Sequence, residues 1–119
     1  MEKFSVSLPL TGEYLTTVRL TTGGLCALAG FDVDATEDFK VCVTESLLIL
    51  KRNGFARANI NFSVGEALGC VLEGAGEVAD KEESMEDEIS RALLSALLGN
   101  VNFEKDASGV RVEKIEFEG

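Results

Sequence analysis

The chain has 119 residues, of which 45% are hydrophobic and 27% charged, with a formal net charge of −10 and no histidine. These values are typical of one globular domain, here expected to span residues 1–119, and exclude an intrinsically disordered chain. The acidic balance argues against nucleic-acid binding, which depends on Lys and Arg, and against an anionic membrane surface. Without histidine, Ser-His-Asp and Cys-His catalysis are excluded.

The three cysteines, Cys26, Cys42 and Cys70, lie far apart in apolar segments. A zinc site would need these thiols together with carboxylates, an uncommon ligand set, so we expect no metal and buried, reduced thiols. The N-terminus lacks a signal-peptide pattern, and no apolar run reaches the roughly 20 residues that a membrane helix needs. We therefore expect a cytoplasmic protein.

The first half of the chain predicts a strand followed by two helices. Polar and apolar residues alternate over residues 4–10, which predicts a strand with one buried face that ends near Pro9. Helical spacing predicts a helix over residues 13–28, ended by Gly30, with an apolar face formed by Leu15, Val18, Leu25 and Leu28. The capping-box pattern "DATE" predicts that a second helix begins at Asp34 and runs to about residue 52, where Asn53-Gly54 stops it.

A hairpin follows the second helix. Alternation over residues 57–64 predicts a strand, Gly65-Glu66 predicts a tight turn, and residues 67–72 predict the returning strand. Residues 73–88 are polar, acidic and glycine-containing, which is typical of a loop, and the last part of this segment is expected to open the next helix.

The last part of the chain predicts one helix and a second hairpin. Ser84 is the expected N-cap of the helix, Gly99-Asn100 its end, and its apolar stripe consists of Ile89, Ala92, Leu93, Ala96 and Leu97. Two strands around residues 106–109 then close the chain, and a change of alternation near Glu113 and Lys114 predicts a bulge or a strand end.

The predicted order is strand, helix, helix, strand, strand, helix, strand, strand. Most of these strands have one polar face, which is typical of an antiparallel-rich sheet that carries helices on its other face. The sequence therefore predicts an α+β fold, a two-layer α/β sandwich with a mixed, mostly antiparallel sheet.

The segment "DFKVCVTESLLILKRNGF" resembles the anti-sigma factor serine-protein kinases of the histidine-kinase-like (GHKL, Bergerat) ATPase superfamily. The family's helix carries Asp-x-Lys, then Glu-x-x-x-Asn and a following aromatic residue, and Asp38, Lys40, Glu45 and Phe55 fall at matching positions. The opening strand and helix are also similar, so the resemblance covers nearly the whole chain. It implies the histidine-kinase-like ATPase fold, a homodimer, and a sigma factor or an anti-anti-sigma factor as protein partner.

The chain departs from this pattern at the residues that would hold magnesium-ATP. In the family the Asn four residues after the Glu joins the magnesium shell, which requires oxygen ligands, and Ile49 occupies that position here. Leu72 stands where the family's Asp recognises adenine, although Gly74 and Gly76 keep the glycine spacing of that motif.

The third family motif, a glycine-rich turn that binds phosphates, is replaced by an acidic segment. Matching the last helix backwards puts Glu88 and Ser90 at the glycine positions. Carboxylates close to a phosphate repel it, and the same acids are favourable at a helix N-terminus in a purely structural reading.

Together with these departures, the resemblance implies an anti-sigma regulatory factor that acts in bacterial transcription by binding a protein partner, with no kinase activity and no cofactor. The alternative is an ATP-dependent serine-protein kinase that phosphorylates an anti-anti-sigma factor with Mg-ATP and uses Glu45 as its base. In the structural reading, Glu45 is a relic that is solvated or paired with a residue such as Arg52 or Arg57. A third alternative is a cleft, lined by Ile49 and Leu72, that is filled or holds another small ligand.

Overall fold

A computed structural model describes residues 2–82 and 85–119 of the chain. The strands are β1 (Glu2–Pro9), β2 (Phe55–Val64), β3 (Leu68–Val78), β4 (Val101–Lys105) and β5 (Val112–Glu118), and the helices are α1 (Gly12–Leu28), α2 (Val33–Arg52) and α3 (Met85–Leu98). The five described strands form one sheet in the order β1-β2-β3-β5-β4. The predicted α+β two-layer sandwich is confirmed, and every described strand pair is antiparallel.

The core lies between the inner face of the sheet and the helices. On β2 the alternation places Ala58, Ile60 and Phe62 inside, each 0% exposed, while the intervening polar residues face outward. Helix α2 contacts β2, β3 and β5, and both α1 and α3 pack against it. Each large apolar side chain buried here contributes about 1.5–3 kcal/mol to folding.

Helix α1 matches its predicted bounds to within one residue and passes through Gly23-Gly24 without a break. A Cβ at Gly23 would lie 2.9 Å from Cε of Lys40, so the missing side chain lets α1 approach α2 closely. Leu28, predicted to lie on the buried face, is 75% exposed instead, since the helix ends there and Gly30 turns the chain away with a φ of +81°.

Helix α2 begins earlier than predicted. Asp32, not Asp34, is its N-cap, because the Asp32 side chain accepts a hydrogen bond of 2.8 Å from the Ala35 amide. The predicted stop is correct: Asn53 is the C-cap, and Gly54 adopts a φ of +99°. A Cβ at Gly54 would overlap the Ala79 carbonyl, so only glycine fits at this turn.

The loop predicted over residues 73–88 is partly wrong. Strand β3 continues to Val78 and keeps pairing with β2. The register gains one residue on β3 between the pairs Arg57–Ala75 and Phe55–Val78, and Gly76 in this bulge has a φ of +78°. The glycines that suggested a loop therefore belong to a bulged strand. The N-cap predicted at Ser84 lies outside the described residues.

The predicted apolar stripe of α3 does not form its buried face. Ile89 is 63% exposed and Leu97 36% exposed, while the buried residues of the helix are Ser90 and Leu94. Ala92 and Ala96 are exposed and Leu93 is half-buried. The helix is amphipathic as predicted, but its more apolar side faces away from α2 and the sheet.

The closing hairpin and its bulge are as predicted. Glu104 pairs with Lys114 and Lys105 pairs with Val112, so Glu113 is the extra residue on β5. The bulge explains why Val112 and Ile115, three positions apart, are both fully buried. In the connecting turn, Asp106 accepts hydrogen bonds from the Ser108 hydroxyl and from two backbone amides.

The three cysteines are buried and unpaired, as predicted. Burial raises the pKa of Cys42 to about 12, with the charges of Asp38 and Glu45 acting in the same direction. Burial also raises the pKa of Cys26 and Cys70. Within the described residues, no helix is both long enough and apolar enough to cross a bilayer.

Candidate functional site

A hydrogen-bonded polar cluster joins α2 to α3 at Glu45. The Ser90 hydroxyl donates to Oε2 of Glu45 at 2.6 Å and accepts from a guanidinium nitrogen of Arg52 at 2.9 Å. Another nitrogen of Arg52 lies 3.7 Å from Oε2 of Glu86. Because Ser90 is only 3% exposed, this contact closes the space between the two helices at Glu45.

The cluster follows from helix geometry. Glu45 and Arg52 are seven residues apart, about two turns, so they lie on one face of α2. Ser90 lies between them on α3, which runs antiparallel to α2, since Glu86 contacts the end of α2 and Leu97 faces its start. The expected pairing of Glu45 with Arg52 therefore takes place through the Ser90 hydroxyl.

Ile49 and Leu72, which the resemblance matches to a metal ligand and an adenine ligand, both belong to the hydrophobic core. Each is 0% exposed. Leu72 pairs in register with Ile60 on one side and Ile115 on the other, so it sits in the middle of the sheet among apolar side chains. Neither side chain offers an oxygen or a charge to a ligand.

The two glycines of the "LEGAG" segment have packing roles. A Cβ at Gly74 would overlap the ring of Phe55, so this glycine leaves room for the aromatic residue after α2. Gly76 supplies the positive φ of the β3 bulge and lies against the side chain of Arg57. Both glycines thus contact residues of β2, whereas the Glu45 carboxylate is bonded to Ser90 of α3. The glycines and Glu45 therefore contact different elements of the fold.

The remaining motif residues lie at the surface. Glu88 is exposed in the first turn of α3, where negative charge is favourable for the helix dipole. Asp38 is exposed near the start of α2, and Lys40 is bonded to Glu37 at 3.2 Å. Of the predicted site residues, Glu45 and Ser90 are therefore brought into contact, and Glu88 lies one half-turn away on the exposed side.

Sequence reasoning missed the role of Asn53, which is fully buried. Its side-chain amide nitrogen donates to the Ile49 carbonyl, and its side-chain oxygen accepts from the backbone amide of Val112 at 3.0 Å. Its backbone carbonyl accepts from Arg111 at 2.9 Å. These bonds fix the end of α2 to the start of β5. The Asn-Gly pair predicted the helix stop but not this long-range contact.

Two surface cavities lie elsewhere. One cavity, of about 230 Å³, lies between the start of α2 and the end of α3 and is called the helix groove below. Its lining includes the apolar side chains of Phe31, Phe39, Leu97 and Leu98 and the carboxylate residue Asp38. The other, about 630 Å³, is an open depression near the end of the β3-β5 pair, lined by polar groups such as Asn100, Asn102 and Glu116. Neither cavity is lined by Glu45, Ile49 or Leu72.

None of the known protein-family models matches the chain. A stretch of 54 residues is 33% identical to the serine-protein kinase RsbW of Listeria monocytogenes serotype 4a (strain HCC23). The same stretch length and identity are found with the serine-protein kinase RsbW of Listeria innocua serovar 6a (strain ATCC BAA-680 / CLIP 11262).

The similarity covers 45% of this chain and 34% of each relative. The chain thus matches about a third of the length of these curated relatives. A partial likeness to a serine-protein kinase agrees with the resemblance to that family.

Proposed function

We propose that the chain is an anti-sigma regulatory factor, with a histidine-kinase-like fold, that acts in bacterial transcription by binding a protein partner without transferring phosphate. The observation that carries this proposal is the burial of Ile49. At the position of a magnesium ligand, a fully buried isoleucine provides no oxygen, and magnesium requires near-octahedral oxygen coordination.

The contacts of Glu45 support the same proposal. An activated base needs access to the group that it deprotonates, within hydrogen-bond reach. One carboxylate oxygen of Glu45 already accepts from Ser90, which is held in turn by Arg52. In this arrangement Glu45 stabilises the packing of α3 on α2, which is the structural role expected of a former catalytic residue.

The adenine side of the site gives independent support. Leu72 is buried where the family uses an Asp, and a leucine cannot accept a hydrogen bond from an adenine amino group. Gly74 is explained by the Phe55 ring next to it, so the glycine spacing does not require a nucleotide.

The acidic character of the chain suits a basic protein partner. With a formal net charge of −10, the chain attracts a basic surface over roughly a Debye length. A DNA-binding surface of a sigma factor has this chemistry, and an anti-anti-sigma factor would compete for the chain. A homodimer, predicted from the resemblance, stays a prediction.

The proposal is tested by measuring binding of each sigma factor of the source bacterium to the immobilised chain by surface plasmon resonance. We expect one of them to bind without nucleotide and to lose activity in promoter-specific transcription when the chain is added. If none binds, with or without Mg-ATP, the proposed function is wrong.

The alternative function is an ATP-dependent serine-protein kinase that uses Mg-ATP as cofactor. It is favoured by the retained Asp38, Lys40 and Glu45 and by the kinase activity in the names of the relatives. Incubation with an anti-anti-sigma factor and γ-labelled ATP tests it. The alternative predicts label on a partner serine and its loss in a Glu45→Gln variant, whereas the proposed function predicts no transfer in either protein.

A further inference from the structure

The exposed side of α3 is an apolar surface with no described element packed on it. Met85, Ile89, Ala92 and Ala96, the α3 stripe, recur at intervals of four, three and four residues and so lie on one line along the helix. Met85 is 77% and Ile89 63% exposed. The stripe runs from Met85 to Ala96, so at 1.5 Å per residue it is about 17 Å long.

The helix groove flanks the end of the α3 stripe. Leu97 follows Ala96 and lies about 100° around the helix from the stripe; it is 36% exposed and lines the groove together with Phe31 and Phe39. The groove of about 230 Å³ has room for one large apolar side chain. An apolar surface that adjoins a concave site is typical of grooves that bind an amphipathic helix.

Acidic residues border this surface at both ends. Near the start of α3, Glu86 and Glu88 lie on the two sides of the stripe, since each residue advances the helix by about 100°. At the other end, Asp38 lines the helix groove and Glu37 is exposed next to it. Glu86 already lies 3.7 Å from Arg52 and Glu37 3.2 Å from Lys40, whereas Glu88 and Asp38 are exposed. A partner surface with positive charge near Glu88 and Asp38 therefore complements this surface.

The α3 helix of a second copy does not supply this charge. Arg91 is the only basic residue of α3, and it is bonded to Asp87 at 3.1 Å and lies over the ring of Phe103. In an antiparallel pair of α3 helices, the acids of one copy would face a last turn that has no basic residue. The charge pattern thus disfavours an α3–α3 pair, and the net charge of −10 favours a basic protein as the partner.

We propose that the α3 stripe and the helix groove bind a basic amphipathic helix of the protein partner. The partner helix places apolar residues spaced i, i+3, i+4 and i+7 on the stripe, inserts one large apolar side chain into the groove, and directs Lys or Arg to the acidic borders. This inference rests on the proposed function and specifies the surface and the partner chemistry that it uses.

The test uses a fluorescein-labelled 18-residue peptide of leucine and lysine, with leucine at the spacing above, and a leucine-glutamate peptide of the same pattern. Fluorescence anisotropy is measured with the unmodified chain, with Ile89→Gln/Ala96→Gln, and with the control Leu20→Gln. Leu20 is an apolar residue on α1 that is 73% exposed, so the control removes a comparable surface elsewhere.

We expect the basic peptide to bind, the stripe variant to bind at least tenfold more weakly, the Leu20 control to match the unmodified chain, and the acidic peptide not to bind. Equal weakening by the Leu20 control, equal binding of both peptides, or no effect of the stripe variant would overturn the inference. A dimer in light scattering that the stripe variant dissociates would also overturn it, since a second copy would then occupy the stripe.

The outcome is separable from that of the proposed function. If the peptide binds the stripe but no sigma factor binds the chain, the docking surface stands and the proposed function fails. If a sigma factor binds the unmodified chain and the stripe variant equally well, the proposed function stands and the docking surface fails.

Discussion

The hydrogen bonds of Ser90 make a quantitative prediction about the packing of α3 on α2. A Ser90→Ala variant removes the donor to Glu45 at 2.6 Å and the acceptor of Arg52 at 2.9 Å. Hydrogen bonds to charged groups contribute about 1.5–3 kcal/mol each. Both charged partners keep some access to water, the Arg52 side chain being 13% exposed. Water can therefore replace part of both bonds in the variant, and we expect a loss of about 2 kcal/mol in the free energy of unfolding, less than the sum of the two bonds.

The control is Ser95→Ala on the same helix. Ser95 is exposed, so Ser95→Ala leaves the polar cluster intact. It makes the same change in helix propensity as Ser90→Ala, about 0.5 kcal/mol in favour of alanine. The difference between the two variants then reports the hydrogen bonds alone.

Urea unfolding followed by circular dichroism measures the effect. With a slope between 1 and 3 kcal/mol/M, a loss of about 2 kcal/mol lowers the midpoint by roughly 1 M. A double-mutant cycle with Glu45→Gln isolates the coupling between the two residues, expected at about 1 kcal/mol or more. If Ser90→Ala and Ser95→Ala unfold at the same urea concentration, the cluster does not hold α3 in place and the structural role of Glu45 is wrong.

Three further predictions concern the packing and ionisation of other residues. Gly74→Ala should lower the free energy of unfolding by about 1–3 kcal/mol, because the added Cβ would overlap the Phe55 ring. The control Gly24→Ala, which has open space at the added Cβ, should be neutral or stabilising. Equal urea midpoints for the two variants would contradict this prediction. Because burial raises the pKa of Cys42 to about 12, its thiol, like the other two, should react with Ellman's reagent only after unfolding, and rapid reaction of the native protein would be evidence against the buried core. The hydrogen bond from the Ser108 hydroxyl lowers the pKa of Asp106 below the ordinary aspartate value. The ionised carboxylate therefore stabilises the hairpin at neutral pH, and this contribution should fade as the pH falls through the lowered pKa. NMR titration of the Asp106 carboxyl group should give a pKa below that of a free aspartate, and an ordinary value would refute the turn geometry.

Local sequence patterns predicted most of the fold because they act within a few residues. Asn53-Gly54 marked the end of α2, since the turn there requires a positive φ. The change of alternation near Glu113 marked the bulge of β5, since a bulge shifts which side chains face inward. The start of α2 was misplaced by two residues because Asp32 and Asp34 both suit an N-cap, and the local pattern does not rank them.

Tertiary contacts decided the features that the sequence did not reveal. Gly74 and Gly76 are typical of a loop, and only pairing with β2 shows that they belong to a bulged strand. The apolar spacing of α3 predicted an amphipathic helix, but the face that contacts α2 is set by Ser90 and Leu94.

In the candidate site, too, local spacing was readable from the sequence, whereas the tertiary contact was not. Helical periodicity places Glu45 and Ile49 on one face of α2. That Ile49 stands where the family has a metal ligand is implied by the resemblance and stays a prediction. The bond from Ser90 joins residues that are 45 positions apart, and no local pattern indicates it. The role of Glu45 therefore depends on a contact that only the folded chain provides.

The most direct test of the central claim is isothermal titration of the chain with ATP in the presence of magnesium. The burial of Ile49 and Leu72 predicts no saturable heat up to millimolar ATP, and no difference when magnesium is replaced by a chelator. A saturable isotherm that disappears on magnesium removal, and that a Glu45→Gln variant weakens, would show that the site still binds Mg-ATP and would contradict a regulator that acts by protein binding alone.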